Sequence, residues 1–308
     1  MRIAVDLMGG DDAPGAVLDG ALLAADLRPE VEVVLVGPVE LAEQLLRDRG
    51  AAGRLPVVGA SESVTMHEDA ARAVRSKRDS SVRTTHRLVH DGAADAAVSV
   101  GPTGATLTAA VLTLGRLTPR PAVAVLVPAT AGPVVLLDAG ATTDTTAEQL
   151  VQHAVLGSAY AEAALGLAEP RVGLLNVGAE PGKGDQLRRD AAALLSQAAI
   201  RFIGNVEGHD VVLGGRADVV VTDGFTGNVL LKGIEGATAR AGGADLPSAG
   251  LLLGVDGLSV VGHGAATPQD VAACISHAAE LVSEGLLPRL RAALEARRAA
   301  PAVPAVTP

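Results

Sequence analysis

The chain has 308 residues, of which 48% are apolar and 19% are charged, and this balance excludes a mainly disordered protein. A formal net charge of −10 argues against general binding to nucleic acid, and an aromatic content of 1% excludes a base-stacking surface for single strands. The single cysteine, Cys274, excludes an intramolecular disulfide and any site built from several cysteines.

Short Val/Ile/Leu runs alternate along the chain with longer Ala/Leu/Arg stretches of helical spacing. This alternation predicts a three-layer α/β/α sandwich, and the continuously apolar runs indicate a mostly parallel sheet covered on both faces. The predicted strands are Arg2–Met8, Val31–Gly37, Leu55–Gly59, Ala96–Gly101, Ala122–Val127, Val134–Ala139, Arg171–Val177, Ile200–Val206, Asp218–Thr222 and Ser259–Val261. The predicted helices are Gly15–Asp26, Val39–Arg49, Ser80–Asp91, Thr103–Leu114, Ala147–Ala164, Asp185–Ala198, Gly227–Arg240, Pro268–Glu284 and Pro288–Arg298.

The pattern predicts one domain over residues 1–298 and a disordered, proline-rich tail over residues 299–308. The Gly/Ala-rich segment Ala241–Gly250 is predicted to be a loop. The chain opens directly on a strand, and no apolar run approaches the roughly 20 residues that a membrane-spanning helix needs. We therefore expect a cytoplasmic protein.

Several familiar kinds of site do not match the sequence. Met8–Asp12 lacks the spacing of a dinucleotide-binding turn, and Gly178–Lys183 is one residue too short for a P-loop and continues into Gly184 instead of Ser or Thr. His86 and His90 have helical spacing, and an exposed helix face explains them better than a zinc site. We expect no metal and no cofactor.

Covalent catalysis is not indicated either. Cys274 lies in an apolar helical stripe, as a small buried residue would, and no nucleophile-elbow motif is present. Any group transfer is therefore expected to be direct.

Glycine-rich turns follow the predicted strands, at the edge where open α/β sheets bind ligands. Gly101–Ala105 opens a helix, so its N–H groups and the Thr103 hydroxyl suit an anion, unless Thr103 only caps the helix. Lys183 lies between Gly182 and Gly184, and is either a ligand-binding lysine or a solvated turn residue.

Two further turns add polar groups to the same edge. Asp223–Asn228 leads from a strand into a helix, with Lys232 one turn later. His263 is flanked by glycines after another apolar strand, and a tight turn with a capping histidine is the alternative. Together these turns predict an anionic or phosphate-containing ligand.

Ordered motifs then give a resemblance to a known family. Over roughly residues 1–285 the chain resembles the PlsX family, the acyl-acyl carrier protein:phosphate acyltransferases. The matching motifs are MRIAVDLMGGDDAP at residues 1–14, KRDSS at 77–81, residues 98–105 and 133–140, PRVGLLNVG at 170–178 with GKG at 182–184, FIGNVEG at 202–208, and residues 217–232 and 253–264.

The resemblance implies that an acyl-carrier protein thioester and inorganic phosphate give acyl phosphate and free carrier protein. The product would feed a glycerol-3-phosphate acyltransferase in phospholipid synthesis. The family fold resembles isocitrate dehydrogenase and phosphotransacetylase, and the family is usually a homodimer without a cofactor.

The resemblance and the turns together give the expected site. The expected catalytic residues are Lys183, Asp223, Asn228, Lys232 and His263. The expected phosphate-binding residues are Gly101, Thr103, Gly104, Asn176, Gly184 and Asn205. In this scheme Asn205, Asn228 or backbone amides stabilise the oxyanion, Lys232 neutralises developing charge, and His263 protonates the leaving thiolate or holds phosphate.

Docking of an acidic carrier protein needs local positive charge. The densest basic cluster consists of Arg72, Arg75, Lys77, Arg78 and Arg83, with Arg87 one turn beyond. This cluster is predicted to contact the carrier protein. The alternative is that it is only the solvated face of a charged helix.

The chain departs from the family pattern at two places. Pro102 stands where the family usually has asparagine, which removes a side-chain amide and a backbone N–H from the anion loop. The family also carries a long amphipathic helical hairpin, associated with membrane contact and the dimer surface, where this chain has only Gly233–Gly250. Membrane contact is therefore not expected, and a specialised acyl pathway is an alternative to bulk phospholipid synthesis.

The sequence is also compatible with two other functions. A phosphotransacetylase-like enzyme would use coenzyme A thioesters on the same fold and anion site. The second function is that of a non-catalytic module that binds the carrier protein or an acyl group. Such a module has no need for the polar residues at the strand ends.

Overall fold

The computed structural model describes residues 1–241 and 249–299. The strands are β1 Arg2–Asp6, β2 Glu32–Gly37, β3 Val57–Gly59, β4 Ala96–Ser99, β5 Ala122–Val127, β6 Val134–Leu137, β7 Arg171–Leu175, β8 Arg201–Val206, β9 Val219–Val221, β10 Ala249–Leu253 and β11 Leu258–Gly262. The helices are α1 Gly15–Leu27, α2 Val39–Asp48, α3 Ala70–Ser76, α4 Ser81–His90, α5 Thr103–Thr113, α6 Ala147–Leu165, α7 Gln186–Leu195, α8 Gly208–Leu213, α9 Gly224–Arg240, α10 Pro268–Ser283 and α11 Leu286–Ala299.

The chain divides into two compact units. Of the described residues, the first contains 1–117 and 249–287, and the second contains 118–241 and 288–299. The prediction of one domain over residues 1–298 stays a prediction. Of the predicted tail, residues 300–308 lie outside the described residues, as do residues 242–248 of the predicted loop.

The first unit is built on strands in the order β3-β2-β1-β4-β11-β10. Every neighbouring pair is parallel except β10 and β11. Strands β1, β2 and β4 are buried along nearly their whole length, because helices cover both faces of a parallel sheet. The carboxyl ends of β1, β4 and β11 therefore meet at one edge of this unit.

The second unit has strands in the order β5-β6-β9-β7-β8, parallel except for the β5–β6 pair. Helix α6 begins at a capping box formed by Thr146 and Gln149 and packs against β6, β7 and β9. The turns that carry the candidate residues follow β6, β7 and β9, again at the carboxyl edge. The mostly parallel α/β architecture predicted from the sequence is confirmed in both units.

All ten predicted strands and all nine predicted helices are present, with ends that shift by a few residues. The loop prediction for Ala241–Gly250 is wrong at its end, because Ala249 and Gly250 begin β10. Helix α9 continues to Arg240, so the first part of the short connection Gly233–Gly250 is helical. Strand β10 and two short helices, α3 and α8, were not among the predicted elements.

The core consists mainly of small aliphatic side chains. It also contains Cys274 and His86. Cys274 is buried in α10, as predicted, and burial raises the pKa of its thiol to about 12. His86 is also buried, so its predicted exposed position is wrong. Its ring nitrogens lie 2.7 Å from the Val82 carbonyl oxygen and 2.9 Å from the Ser259 hydroxyl. Burial lowers the pKa of His86 to about 4.

None of the helices in the described ranges has the length and apolar character needed to cross a membrane.

Candidate functional site

Three turns pack together at the carboxyl edge of the first unit. The N–H of Asp11, in the turn after β1, donates to the Gly264 carbonyl oxygen at 2.7 Å, after β11. A Cβ on Gly9 would lie 2.8 Å from the Gly101 nitrogen, after β4, so only glycine permits this approach. The first turn is thus joined to both of the others.

The turn after β4 leads directly into α5. Pro102 occupies the N-cap position and makes no side-chain cap, and Thr103 is the first helical residue. The alternative that Thr103 only caps the helix is therefore wrong. Since the first N–H groups of a helix have no partner within it, those of Thr103 and Gly104 are available to an anion at this end of α5. Gly101 is buried, and its N–H donates to the Ser99 hydroxyl at 3.2 Å.

A buried carboxylate that was not predicted from the sequence is linked to this turn through Ser99. Asp6 is the last residue of β1, and its Oδ2 accepts from the Ser99 hydroxyl at 2.8 Å. Its Oδ1 is buried without a hydrogen-bond partner among the described residues. Burial raises the pKa of Asp6, although hydrogen bonds to serine and backbone groups oppose that effect.

His263 lies half-buried in the turn after β11, and its carbonyl oxygen accepts from the Ala266 N–H at 3.1 Å. The turn holding His263 is the one joined to Asp11 through Gly264. His263 thus belongs to the same edge of the first unit as Gly101, Thr103 and Gly104.

The basic cluster of the first unit separates into two groups. Lys77 donates to the Ser63 carbonyl oxygen at 2.7 Å and to Glu68 at 2.8 Å, and this pairing helps to lower the pKa of Glu68 to about 2. Arg83 donates to the Val74 carbonyl oxygen at 3.3 Å. The exposed members that form no salt bridge within residues 1–241 and 249–299 are Arg72, Arg75 and Arg78.

The helix that carries two of the exposed arginines begins close to the start of α5. Helix α3 carries Arg72 and Arg75 and packs against α5, and a Cβ on Gly104 would lie 3.2 Å from the Cβ of Ala70. The helix that carries these two arginines therefore begins beside the start of α5.

In the second unit, two asparagines hold the turn that contains Lys183. Asn176 follows β7, and its side-chain N–H donates to the Lys183 carbonyl oxygen at 3.0 Å. Asn205 lies in β8, and its side-chain N–H donates to the Glu180 carbonyl oxygen at 2.9 Å. Both asparagines thus support the turn, and the Lys183 side chain is exposed on it.

Gly184 closes the turn in a conformation that excludes other residues. Its φ is +92°, and a Cβ there would lie 2.4 Å from Asn176 Oδ1 and 2.9 Å from the Cβ of Arg188. Gly182 has a φ of +82° but faces open space, with nothing within 4 Å of an added Cβ. The fit of Gly184 against Asn176 therefore sets the position of Lys183.

An ion pair that the sequence analysis missed joins the next two helices. Asp223 caps α9 by accepting the Thr226 N–H at 2.8 Å, and it also pairs with Arg188 of α7. The two side chains are 7% and 12% exposed, so the pair is almost fully buried. Burial disfavours the charged carboxylate, but the hydrogen bonds from Thr226 and the charge of Arg188 outweigh it and lower the pKa of Asp223. Asp223 is therefore a helix cap and ion-pair partner.

Helix α9 starts in close contact with the turn after β6. A Cβ on Gly227 would lie 2.0 Å from the Asp138 carbonyl oxygen, so this contact requires glycine. The Asp138 carboxylate is buried and accepts four backbone N–H groups, at 2.8 to 3.1 Å. Asn228 donates to the Ala139 carbonyl oxygen at 3.1 Å. One turn later the exposed Lys232 pairs with Glu235 at 3.2 Å.

Two cavities adjoin the Arg188–Asp223 pair within the second unit. The first, which we call the β7–α9 cavity, has a volume of about 620 Å³ and is lined by Leu175, Asn176, Val177, Gly184, Asp185, Arg188, Gly208, Thr226, Val229 and Leu230. The second has a volume of about 550 Å³ and is lined mainly by polar side chains. Asp185, Arg188 and Thr226 border both cavities, so the two cavities adjoin at Arg188.

Groups of three or more His, Cys, Asp or Glu side chains suited to a metal ion do not occur among the residues that the structure describes.

Comparison with known proteins identifies relatives along most of the chain. A family model described as "Fatty acid synthesis protein" matches residues 1–243. A phosphate acyltransferase of Desulfitobacterium hafniense strain Y51 is 41% identical over 335 aligned residues, covering 96% of this chain and all of that protein. A phosphate acyltransferase of Myxococcus xanthus is 43% identical over 306 residues, covering 87% of this chain and 86% of that protein.

Solved structures share the fold at low sequence identity. A phosphotransacetylase from Streptococcus pyogenes matches with a TM-score of 0.63 and 20% identity, covering 91% of this chain and 94% of that one. A branched-chain phosphotransacylase from Enterococcus faecalis matches with a TM-score of 0.63 and 15% identity, covering 92% and 99%. These likenesses confirm the predicted fold class.

Proposed function

Because this chain belongs to the PlsX family of phosphate acyltransferases, we propose that it transfers the acyl group of an acyl-carrier protein thioester to inorganic phosphate. The observation that carries the proposal is the match to proteins of that name along nearly the whole chain. The chain is thus an acyltransferase. The carrier protein as donor, and phospholipid synthesis as the use of the product, are the finer parts of the proposal.

The reaction is a direct displacement. A phosphate oxygen attacks the thioester carbonyl carbon and forms a tetrahedral intermediate with an oxyanion. This intermediate collapses to acyl phosphate as the carbon–sulfur bond breaks, and the carrier leaves as a thiolate that takes up one proton. Phosphate is anionic and nucleophilic at neutral pH, so positioning contributes more than a strong base. His263 either supplies the proton to the thiolate or holds phosphate.

In the first unit, the N–H groups of Thr103 and Gly104 bind anionic oxygens at the start of α5. Gly101 keeps this turn close to Gly9, and Asp6 supports it through Ser99. Since Pro102 has no N–H, the anion contacts begin at Thr103.

In the second unit, Lys183 binds an anionic oxygen of the substrates from its exposed position on the turn. Lys232 and Asn228 lie one turn apart on α9, and they neutralise developing charge and stabilise the oxyanion. Asn176 and Asn205 act as positioning residues, because each donates an N–H to the turn that carries Lys183. Asp223 positions α9 and does not act as a base, since its low pKa keeps it ionised and paired.

The carrier protein docks on Arg72, Arg75 and Arg78. These arginines are exposed and free of salt bridges to the residues described, whereas Lys77 and Arg83 bind groups of their own unit. Charge on this surface attracts an acidic partner and raises the rate of encounter.

The product is a mixed anhydride, which is a reactive acyl donor. A second acyltransferase must therefore consume it, and we propose a glycerol-3-phosphate acyltransferase of phospholipid synthesis as that partner. A homodimer and a cytoplasmic location remain predictions of the same scheme.

The proposal is tested by trapping acyl phosphate with hydroxylamine. Purified enzyme is incubated with phosphate and either acyl-carrier protein or the matching acyl-coenzyme A, over chains of 4 to about 16 carbons. We expect phosphate-dependent hydroxamate with the carrier-protein donor.

Turnover only with coenzyme A thioesters would replace the carrier protein by coenzyme A as the substrate. No hydroxamate from either donor, with enzyme whose fold is checked by circular dichroism, would favour a non-catalytic binding module.

A further inference from the structure

We propose that the β7–α9 cavity binds the hydrocarbon chain of the acyl donor and that Gly208 determines how long a chain it accepts. The inference rests on the proposed function, because an acyl donor supplies the ligand. It assigns a role to the FIGNVEG motif, whose last residue, Gly208, has none in the chemistry above.

The cavity has the composition of a hydrocarbon site. Its aliphatic lining consists of Leu175, Val177, Val229 and Leu230. A volume of about 620 Å³ falls in the range of ligand pockets in proteins. Val177 and Val229 are 83% and 58% exposed, which is unusual for aliphatic side chains that flank one cavity. An apolar ligand would remove this surface from water.

The charged Arg188 at the cavity wall is already paired with groups of the protein and therefore does not attract a polar ligand. The Arg188 guanidinium donates to Asp185 at 2.9 Å, to Thr226 at 3.0 Å and to Asp223. Two carboxylates therefore neutralise it, and its donors are directed at groups of the second unit. A free anion would gain little there, which favours an uncharged chain as the occupant.

The cavity also adjoins the turn that carries Lys183. Asn176 and Gly184 line the cavity, and both fix that turn. A hydrocarbon chain in the cavity therefore places its carboxyl end toward the proposed reacting groups of this unit. This continuity favours the acyl donor over a second copy of the chain as the occupant.

Gly208 keeps the cavity open. It is the first residue of α8 and lines the cavity, and a Cβ added there would meet only Leu230 Cδ1, at 3.4 Å. This is an ordinary van der Waals contact, so a larger side chain fits the backbone and extends beside Leu230. Such a side chain would occupy space that a long acyl chain needs.

The first test measures binding without catalysis. The fluorescence of cis-parinaric acid reports its affinity for wild type, for Gly208→Leu and for the control Gly233→Leu. Gly233 is an exposed glycine of α9 with nothing within 4 Å of an added Cβ. We expect wild type and the control to bind within twofold of each other, and Gly208→Leu to bind about tenfold or more weakly. Equal affinity of all three proteins, or no binding to wild type, would overturn the inference.

The second test measures chain-length preference by hydroxylamine trapping. We expect Gly208→Leu to lose about tenfold or more in kcat/KM for a 16-carbon donor while its kcat/KM for a 4-carbon donor stays within twofold. An equal loss for both donors contradicts a role in chain length. If wild type forms no acyl phosphate at all, the proposed function fails, and the parinaric acid measurement still decides the role of the cavity.

A third measurement addresses a second copy of this chain as the occupant. Val229→Asp puts a charge at the exposed mouth of the cavity without disturbing the core. We expect weaker parinaric acid binding and an unchanged mass by light scattering. A change from dimer to monomer with unchanged parinaric acid binding would make the cavity an interface between copies and overturn the inference.

Discussion

Asp223 and Arg188 join two helices of the second unit at the point where each helix begins. Asp223 caps α9, and Arg188 follows the cap of α7 formed by Asp185, whose carboxyl accepts the Arg188 N–H at 2.9 Å. The pair is almost fully buried, so each charge depends on the other for its solvation. The starts of both helices, and the turn with Lys183 between β7 and α7, therefore depend on one ion pair.

Loss of Arg188 should destabilise the fold. Arg188→Met leaves the buried Asp223 carboxylate without its cation, and we expect the free energy of unfolding at pH 7 to fall by about 3 kcal/mol in urea denaturation. Arg189→Met is the matched control, because Arg189 is exposed on the same helix, and its effect should stay below about 1 kcal/mol. Equal effects of the two substitutions would show that the ion pair contributes no special stability.

The two glycines beside Lys183 should differ in their tolerance of alanine. Both have positive φ, but only Gly184 also lacks space for a Cβ. We expect Gly182→Ala to cost about 1 kcal/mol and to keep activity within about threefold. Gly184→Ala should displace the turn and lower kcat by about tenfold or more. Similar activity of the two variants would contradict the role of Asn176 in setting the turn.

Lys183 itself should affect turnover and not folding, because its side chain is exposed. We expect Lys183→Ala to unfold like wild type and to lose about a hundredfold in kcat/KM for phosphate. Lys183→Arg keeps the charge and should recover part of the loss. Full phosphate-dependent turnover of the alanine variant would remove Lys183 from the proposed site.

Charge reversal on the proposed docking surface for the carrier protein should change only the KM for acyl-carrier protein. For Arg75→Glu with Arg78→Glu, we expect KM for acyl-carrier protein to rise about tenfold at low salt, with the rate on acyl-pantetheine unchanged. Arg47→Glu with Arg54→Glu gives the same change in charge elsewhere in the first unit. If both pairs raised KM equally, net charge and not this surface would explain the effect.

Asp6 should make stability depend on pH in an identifiable direction. Its pKa in the folded protein is raised above the ordinary value of 3.8, so the native state holds the proton more tightly than the unfolded chain. That contribution is present below the ordinary pKa and is lost as pH rises toward the folded pKa. Asn does not titrate and keeps an oxygen for Ser99, so Asp6→Asn should gain stability relative to wild type as pH rises from 4.

Urea denaturation of wild type and Asp6→Asn at several values from pH 4 to pH 8 measures this difference. The exposed Asp91→Asn serves as the control for a generic change in charge. A difference between Asp6→Asn and wild type that stayed constant over the range would contradict the burial effect.

The regular elements were predictable because they follow from local patterns. Continuous apolar runs gave β1, β2 and β5 with nearly their observed bounds, since both faces of these strands are buried. Strand β10 was not among the predicted strands, because it begins with Ala249 and Gly250, which have low intrinsic strand preference and form a strand by pairing with β11. Helices α3 and α8 have 7 and 6 residues, too few for a helical period to stand out.

The candidate residues were predictable by type and position, but not by partner. Arg188 was missed because its ion-pair partner lies 35 residues away, and no local pattern connects them. His86 was placed on an exposed face because its partner Ser259 lies 173 residues away. Asn205 was predicted as a site residue because it is a polar residue near the end of a strand. Its hydrogen bond to the Glu180 carbonyl oxygen is visible only in the fold.

The position of Cys274 has a practical consequence for measuring this reaction. The proposed chemistry liberates one thiol for each acyl group transferred, so an aromatic disulfide such as Ellman's reagent would report turnover continuously by its colour. An enzyme with reactive thiols of its own would contribute a background to that signal. Here the only cysteine is buried and stays protonated with a pKa of about 12, so the folded enzyme should be silent toward the reagent.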